Sequence, residues 1–502
     1  MPLQKVNFQP GFNKQASDSG AENQWVDGDF VRFRYGMPEK VGGWQEIMDK
    51  KLVGAGRASH TWADLDGRKF LAIGTNKILY IYDGDDYYDV TPFDAALART
   101  GCDITTTNGS TTVTVTTPTA HDLEPGDLLT FDNAGSFTGG QTSYTAIDFD
   151  DILFEVQLAP TTSTFTILMP TAETGTGATN DGTLDSKPYY KIGPLQQAFG
   201  YGFGTGLYGA STWGTPRTTS TAILDPASWS LDNYGELLIA TIKNGATFSW
   251  DPDGGSGIAT RAAVISGAPT RSVMSMVSDR DRHLIILGTE TTIGSASTQD
   301  KMFIRFSDQE SLTDYTATSV NTAGSFRIDS GTKIVGAAKA KDYILILTDT
   351  SAYLMQFVGP PFTFSIRQVG SNCGCVGQHS IVYANGAVYW ISDSGGFFMF
   401  DGTVKALPSL VEDFVFQTND NAPGFNFANG SEITYAAHNA LFSEISWFYA
   451  SSASSYIDRQ VTFNYAEQTW TTGSLARTTF TDAHLFDQPI ATEFNVNLSP
   501  TT

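Results

Sequence analysis

Short apolar runs recur along this chain, each closed by a turn of Gly, Asp, Ser or Asn and followed by a second run rich in aromatic residues. The clearest examples are KFLAIGTNKILYIYDG (Lys69 to Gly84), ELLIATIKNGATFSWDPD (Glu236 to Asp253) and AVYWISDSGGFFMFDG (Ala387 to Gly402). Looser copies span Arg282 to Gln309, Tyr343 to Phe357 and Glu444 to Trp470. Brief β-branched and aromatic runs between turn signals read as strands, and two such runs across a tight turn read as a hairpin. Taking Leu238, Ile285, Leu345, Tyr389 and Trp447 as equivalent positions, the hairpins repeat at steps of 44 to 60 residues, near the roughly 40 to 50 of propeller blades. Radial repetition protects the edges of short antiparallel sheets. The expected fold is therefore all-β, a β-propeller of about six blades, with a pair of β-sandwiches as the alternative.

The step from Leu71 to Leu238 is far too long for one blade, and a segment of different composition explains it. Between Ala96 and Lys187 the chain reads TTTNGSTTVTVTTPT, then HDLEPGDLLTF, DILFEVQLAP and TSTFTILMPT, with Thr, Val and Ile alternating at period two. Such alternation predicts a small inserted β-sandwich domain. The following stretch, Gly193 to Gly214, holds seven glycines and five aromatics and reads as the return linker, whose glycines favour mobile or positive-φ backbone. In Trp25 to Gln45 one strand, Phe30 to Tyr35, places Val31, Phe33 and Tyr35 on one face, and it is expected to complete the ring. The resulting division is an extended N-terminal arm (1–24), a ring-closing strand and first blade (25–95), the insert (96–187), a Gly-rich linker or gate (188–215), the remaining blades (216–480) and a C-terminal tail (481–502). Only Pro92 to Thr100 and Leu410 to Phe416 have room for a turn or two of helix.

Composition narrows the chemistry. Hydrophobic residues make up 41% and charged residues 17% of the chain, enough apolar surface for a large core and too much for a disordered chain. The 53 Asp and Glu against 30 Lys and Arg leave a formal charge of −23. That balance excludes a general nucleic-acid binder, whose affinity comes mainly from cation–phosphate contacts. No apolar run is long enough to span a bilayer, and the opening MPLQKVNFQPG has neither a basic nor an apolar leader, so no membrane insertion and synthesis in a cytoplasm are expected.

No phosphate-cradling P-loop, HExxH or Gly-x-Ser-x-Gly motif is present in the sequence. Cys102, Cys373 and Cys375 cannot build a disulfide framework, and the CGC spacing lacks a second ligand pair, so neither metal nor cofactor is expected. His60, His121, His283, His379, His438 and His484 are scattered singly and read as turn or core residues. Acidic clusters stand at Asp83, Asp85, Asp86 and Asp89 and at Asp148, Asp150 and Asp151, with DPDG at Asp251 to Gly254. They could bind calcium or line a surface, but they lack the spacing of an EF-hand loop and read as solvated turn acids. Paired carboxylates also serve glycoside hydrolysis, and FSDQESLTDYT (Phe306 to Thr316) is reminiscent of the Asp-box turn of sialidase-like propellers, without its central Gly. Trp25, Trp44, Arg32 and Arg34 are candidate structural anchors, and Arg32, Arg34, Arg280, Arg282 and Arg305 are expected to be engaged mostly in subunit or intra-domain pairing.

Several stretches carry a family resemblance. PGFNKQ (Pro10 to Gln15), NQWVDGDFVRFRYGMPEKVGGW (Asn23 to Trp44), the run from Asn321 to Phe364, Cys373 to Gly402 and VTFNYAEQTWTTG (Val461 to Gly473) resemble the tail nozzle proteins of short-tailed bacteriophages, also described as tail tubular B-type or packaged-DNA-stabilising proteins. The resemblance covers most of the chain outside the insert. It implies a non-enzymatic virion protein of the tail, made in the bacterial host and working as a homo-oligomer, typically a hexamer. Its implied neighbours are adaptor or portal-proximal proteins above and fibre or tip proteins at the tail. Double-stranded DNA would pass without sequence-specific binding through a lumen lined by the acid clusters at Asp83 to Asp89 and Asp148 to Asp151, with the Gly193 to Gly214 stretch as its candidate gate. The competing readings are a glycan-binding or glycan-hydrolysing propeller and a receptor-binding tail tip. For the latter the insert offers Phe131, Phe137, Tyr144, Phe149, Phe154 and Phe165, most of them expected in its core.

Overall fold

A computed structural model describes residues 8–17, 19–135, 144–175, 182–197, 225–418 and 423–495. The chain divides into two units, one formed by Val90–Lys191 with Arg261–Ala263 and the other by most of the remainder. The larger unit is a six-bladed β-propeller. Blade 1 consists of Gly56–Ala63, Lys69–Thr75, Leu79–Tyr82 and Tyr87–Asp89, four antiparallel strands in chain order. Blades 2 to 6 repeat that order over 229–264, 274–327, 334–371, 381–406 and 435–473. The first strand of each blade faces the axis, since first strands of successive blades are the elements that touch.

The six apolar hairpins of the sequence are the second and third strands of the blades. Their second strands read as largely hydrophobic runs because both of their faces are covered. His283–Leu287, Ile344–Thr348, Ala387–Ile391 and Glu444–Tyr449 are buried at every position. Period two then decides which inter-blade layer each side chain joins. Leu284 and Ile286 pack with Ile239 of blade 2, whereas Ile285 and Leu287 pack with Ile344 and Ile346 of blade 4. Leu345 and Leu347 point the other way, to Val388 and Trp390 of blade 5. Tight turns set the register: Asn385 and Gly386, both at positive φ (48° and 84°), make the two-residue connection that right-twisted strands favour.

Buried tryptophans staple neighbouring blades. Trp229 of blade 2 donates its indole N–H to the Thr75 carbonyl of blade 1 at 2.8 Å, Trp62 of blade 1 to Glu236 of blade 2 at 3.0 Å, and Trp447 of blade 6 to the Ser380 carbonyl that leads into blade 5 at 3.0 Å. Each buries a large ring and satisfies its single donor. Gly74 lets the Trp229 ring approach; a Cβ there would lie 2.4 Å from the indole.

Ring closure falls to the C-terminal hairpin and not to the N-terminal strand. Thr479–Thr481 pairs with Ile490–Thr492, and this hairpin contacts the first strands of both blade 6 and blade 1. Tyr435 Oη donates to the Phe480 carbonyl at 3.4 Å, and Gly56 of blade 1 abuts Thr492. The segment from Thr481 to Thr492, expected as a tail, is thus part of the ring. Val31–Arg34 and Met37–Lys40 form a hairpin of their own, lying with Gln9–Phe12 against the last strand of blade 6. Phe12 and Phe33 are its buried anchors, edge to face at 5.7 Å. Tyr35, expected on the same face as Phe33, is instead in the turn at φ 52° and is 84% exposed.

The insert is one seven-stranded sheet rather than two separate sheets. Arg99–Thr105 sits at its middle, with Leu184–Pro188, Leu128–Asp132 and Phe154–Glu155 on one side and Thr112–Thr116, Thr164–Leu168 and Leu158–Thr161 on the other. The two halves share one core, and Phe131 from one lies parallel to Phe165 from the other at 6.5 Å. They therefore pack as the layers of a sandwich while remaining joined. Of the two helical expectations, only Glu412–Phe416 forms a helix; 95–97 is a turn.

Gly74→Ala is expected to destabilise the propeller by about 1–3 kcal/mol, the usual cost of overpacking, read as a fall in the denaturant midpoint. A neutral result would mean that the Trp229 ring has room to move.

Candidate functional site

At the face where the first strands begin, three alternate blades converge on one carboxylate. Lys243, just after the second strand of blade 2, donates to Glu432 Oε2 at 2.7 Å, and Lys333, just before blade 4, donates to Glu432 Oε1 at 3.1 Å. Glu432 itself sits in the single turn that leads into blade 6. Asp225 lies 3.9 Å from Lys243. Burial alone would raise the Glu432 pKa, but the two ammonium groups overcome it and hold the carboxyl down to about 2. Beside it, His379 Nε2 lies 2.8 Å from the Trp229 carbonyl and 3.2 Å from Ser228 Oγ, so groups of facing blades 5 and 2 meet directly. Burial pushes the His379 pKa down to about 4 despite that carbonyl, and Lys243 and Arg57 add to the fall.

A second cluster stands where the first strands end. Lys339 of blade 4 donates to both oxygens of Asp232 in blade 2 and to Asp279, just after the first strand of blade 3, each at 3.0 Å. Asp232 Oδ2 also accepts the Val277 N–H at 2.8 Å, and His60 of blade 1 lies 3.9 Å from Asp232 Oδ1. Side chains of non-adjacent blades therefore meet across the axis at both faces. Beside the second cluster are two open hollows. One, of about 410 Å³, is lined by Asp279, Lys341, Tyr343, Phe357 and Tyr383 among others; the second, of about 340 Å³, includes Tyr383, Tyr435, His438 and Asp482.

These axial charges escaped sequence reasoning. Lys243 and Lys339 end apolar runs, as in LLIATIK and IVGAAK, whereas Lys333 precedes one, Asp232 interrupts WSLDNY, and Glu432 and Asp279 stand in polar turns. For the two lysines, a charge ending an apolar run was the available signal; the carboxylates carried none.

The acidic candidates do not meet there. Asp83 lies in the outer turn of blade 1, where its Oδ1 accepts the N–H groups of Asp85 and Asp86 at 2.9 and 3.0 Å, and Asp89 ends the outermost strand. In the insert, Asp148 caps a short helical turn by accepting from Thr145 N and Oγ1, and Asp150 accepts the Ala134 N–H at 2.8 Å. Asp151 adopts φ 59°. Among the described residues no three His, Cys, Asp or Glu side chains are placed to hold a metal. Cys373 and Cys375 are buried and unpaired with each other, and burial pushes both thiols up to about 11.

Of the anchors, Arg32 makes a two-pronged contact with Glu444, 3.0 Å on each side, and stacks 3.5 Å over the Phe442 ring. Arg34 is exposed, over Tyr35 and Phe442. Trp25 packs on Phe8 and Phe33, and Trp44 packs edge-on to Phe480 under Arg477. Arg282 covers Tyr234, and Arg305 donates to the Glu290 and Thr291 carbonyls, whereas Arg280 is largely exposed, 3.9 Å from Asp281. Where the Asp-box turn calls for glycine, Glu310 itself takes φ 57°, and Asp308 secures the turn by accepting from Thr322 N and Oγ1. Tyr144, Phe131, Phe149, Phe154 and Phe165 all lie in the insert's core; Phe137 and the segment 198–214 of the Gly-rich gate lie outside the described residues.

No family model matches the chain, and no curated protein does. Among solved structures it is similar to the computationally designed Ika8 protein (8% identity over 86% of this chain and 91% of that one, TM-score 0.34). It is also similar to the AfRom2 CNH domain (11%, 49% and 72%, TM-score 0.30) and to the phage phi92 endosialidase (12%, 88% and 79%, TM-score 0.25). These are likenesses of fold alone.

Acid is expected to weaken the ring in two stages. His379 is held below its unfolded value of about 6.5, so the stability it permits is complete above that pH and is lost as pH falls toward about 4. Glu432 follows the same sign, losing its contribution from about 4.5 down to about 2. Glu432→Gln should cost about 3 kcal/mol at neutral pH by removing the carboxylate that both lysines contact, with only the more distant Asp225 left near Lys243, and should flatten the lower stage. Melting temperature against pH for both proteins measures this; parallel profiles below pH 4.5 would contradict it.

Proposed function

We propose that the chain is a structural virion protein, the nozzle subunit of a short-tailed bacteriophage tail, assembled as a ring of identical copies, six being the expected number. The supporting observation is the bridged axis. With Glu432, Lys243 and Lys333 tied at one face and Asp232, Lys339 and Asp279 at the other, one propeller offers no bore, so a passage for DNA has to be framed by several copies. In this reading the propellers are the wall, the acidic turns such as Asp83 to Asp89 face the lumen, and Arg32 and Arg34 belong to the strap outside blade 6. The protein is non-catalytic, needs no cofactor, and docks between adaptor or portal-proximal proteins and fibre or tip proteins. The charge of −23 per copy keeps the wall from gripping a polyanion, because no phosphate contact has to be broken as the duplex moves.

The second reading, a propeller that binds or cleaves glycans, draws on the hollow of about 410 Å³, where Tyr343, Phe357 and Tyr383 stand beside Asp279 and Lys341. Aromatic faces with charged hydrogen-bonding groups suit a sugar ring.

Sedimentation and negative-stain microscopy of the purified chain decide between the two. The nozzle reading expects closed rings with a central hole and no turnover of glycosides. A monomer that hydrolyses a glycan, and loses that activity when one carboxylate of the hollow is changed, would replace it.

A further inference from the structure

Tyr35 stands where a tyrosine is costly. It and Gly36 form the two-residue turn between Val31–Arg34 and Met37–Lys40, and both take positive φ, 52° and 74°. Asparagine followed by glycine suits such a turn, whereas a bulky side chain in this conformation is an outlier. Burial brings the ring no compensation, since the residue is 84% exposed. It is nevertheless held in place. Glu467, in the turn between the third and fourth strands of blade 6, accepts the N–H groups of both Tyr35 and Gly36, and the Arg34 guanidinium lies 5.3 Å from the centre of the Tyr35 ring. Met37, paired across the hairpin with Arg34, is also exposed. A rigid aromatic tip beside an arginine, presented to solvent, has the form of an interface anchor.

The same chain carries a hollow that complements it. The cavity of about 410 Å³ lies over blade 4, between Asp279 to Asp281 of blade 3 and Tyr383 of blade 5. Met355 and Phe364 are buried in its lining, and Tyr343, Phe357 and Tyr383 keep partly exposed rings there. Lys341 and Asp342 are exposed beside those rings. Among the described residues neither Asp342 nor Arg34 has an ion-pair partner, so each surface holds one spare charge of opposite sign. In an antiparallel blade the turn between the first and second strands and the turn between the third and fourth lie at one face, which puts the Tyr35 tip and the hollow at the same face of the propeller. Blade 5 stands between them and Glu467 fixes the tip at blade 6, so a chain cannot fill its own hollow.

We propose that this hollow receives the Tyr35 tip of a neighbouring copy of the chain, with Tyr35 packed against Tyr343, Phe357 and Tyr383 and Arg34 meeting Asp342. Hollows of this size hold small drug-sized ligands, which leaves room for one tyrosine side chain. Two different patches of one surface meet in this contact, and heterologous contacts of that kind repeat from copy to copy until the rotation closes into a ring. Every copy carries −23 charges, so long-range repulsion opposes the association. The enclosed aromatic ring supplies the attraction, and the Arg34 to Asp342 pair sets the register. The inference rests on the reading of the chain as a ring of copies and names the contact that builds it.

Sedimentation of the full chain over a range of concentrations, with negative-stain images of the same samples, tests the contact. Tyr35→Asn removes the ring and suits the positive φ, so at dilutions where both proteins are single copies its melting temperature should equal or exceed that of the wild type. The concentration at which copies associate should meanwhile rise by about thirtyfold. Arg34→Glu and Asp342→Arg, both at exposed positions, should each weaken association by about tenfold, and the two together should restore most of it. If Tyr35→Asn assembles into wild-type rings at the wild-type concentration, the contact is refuted while the ring reading stands. If the wild type forms open chains that Tyr35→Asn abolishes, the contact stands and the ring falls. A wild type that stays single at every concentration overturns both. A charge exchange that restores nothing, or a glycan that fills the hollow without dissociating the assembly, overturns the contact alone.

Discussion

The propeller depends on charges that meet at its axis. Blades are joined to their neighbours by apolar layers, and such layers fix spacing but not the angle at which a ring closes, because dispersion and burial are non-directional. The contacts at the axis are directional. Glu432 receives Lys243 and Lys333 from two other blades, and Lys339 divides its three donors between Asp232 and Asp279. Buried ion pairs seldom add much net stability over a well-packed apolar alternative, but removing one partner is severe. Their effect is therefore on specificity: a five- or seven-bladed closure of the same hairpins would strand these groups.

The same constraint explains why the seam lies where it does. Five of the six inter-blade joints are made by first strands meeting one another, and only between blades 6 and 1 does a separate hairpin intervene. No blade borrows a strand from the opposite end of the chain, so closure relies on Thr479–Thr481 and Ile490–Thr492 and on the Ser59 to Tyr435 hydroxyl contact at 3.2 Å. The N-terminal strap adds a clamp farther out, where Asp29 accepts from Ser474 N and Oγ beside the end of blade 6. Local opening, which begins where buried contacts are fewest, should start at this seam.

The second strands were legible in the sequence because burial on both faces leaves them mostly apolar, with polar residues chiefly at their ends, so the runs stand out from their surroundings. The insert was legible for the opposite reason: one face of each strand is wet, so Val113 and Val115 alternate with Thr112, Thr114 and Thr116. Ring closure was not, because three-residue strands such as Thr479–Thr481 carry no period. The N-terminal strand misled because Val31, Phe33 and Tyr35 alternate correctly, yet the chain reverses at Tyr35 and Gly36 and takes Tyr35 out of the strand. The axial cluster was hidden by distance along the chain: Lys243 and Glu432 stand 189 residues apart, and nothing local to either names its partner. The Asp-box likeness shows how a side chain can occupy a conformation that sequence assigns to glycine, once Asp308 fixes the turn around Glu310.

Closure of the axis also shapes what the surface charge is able to do. An acidic wall repels DNA only within about a Debye length, roughly 8 Å at physiological salt, so it matters where protein and duplex nearly touch. Had each propeller kept an open bore, its own Lys243, Lys333 and Lys339 would line it and offer phosphate contacts. Instead these lysines are paired with carboxylates. That leaves cations such as Arg34, Arg280 and Lys341 on exposed surfaces, where a counterion atmosphere screens them. In the proposed ring the lumen would therefore gain its sign less from an accumulation of acid than from the withdrawal of base, because the lysines that could hold DNA are already held.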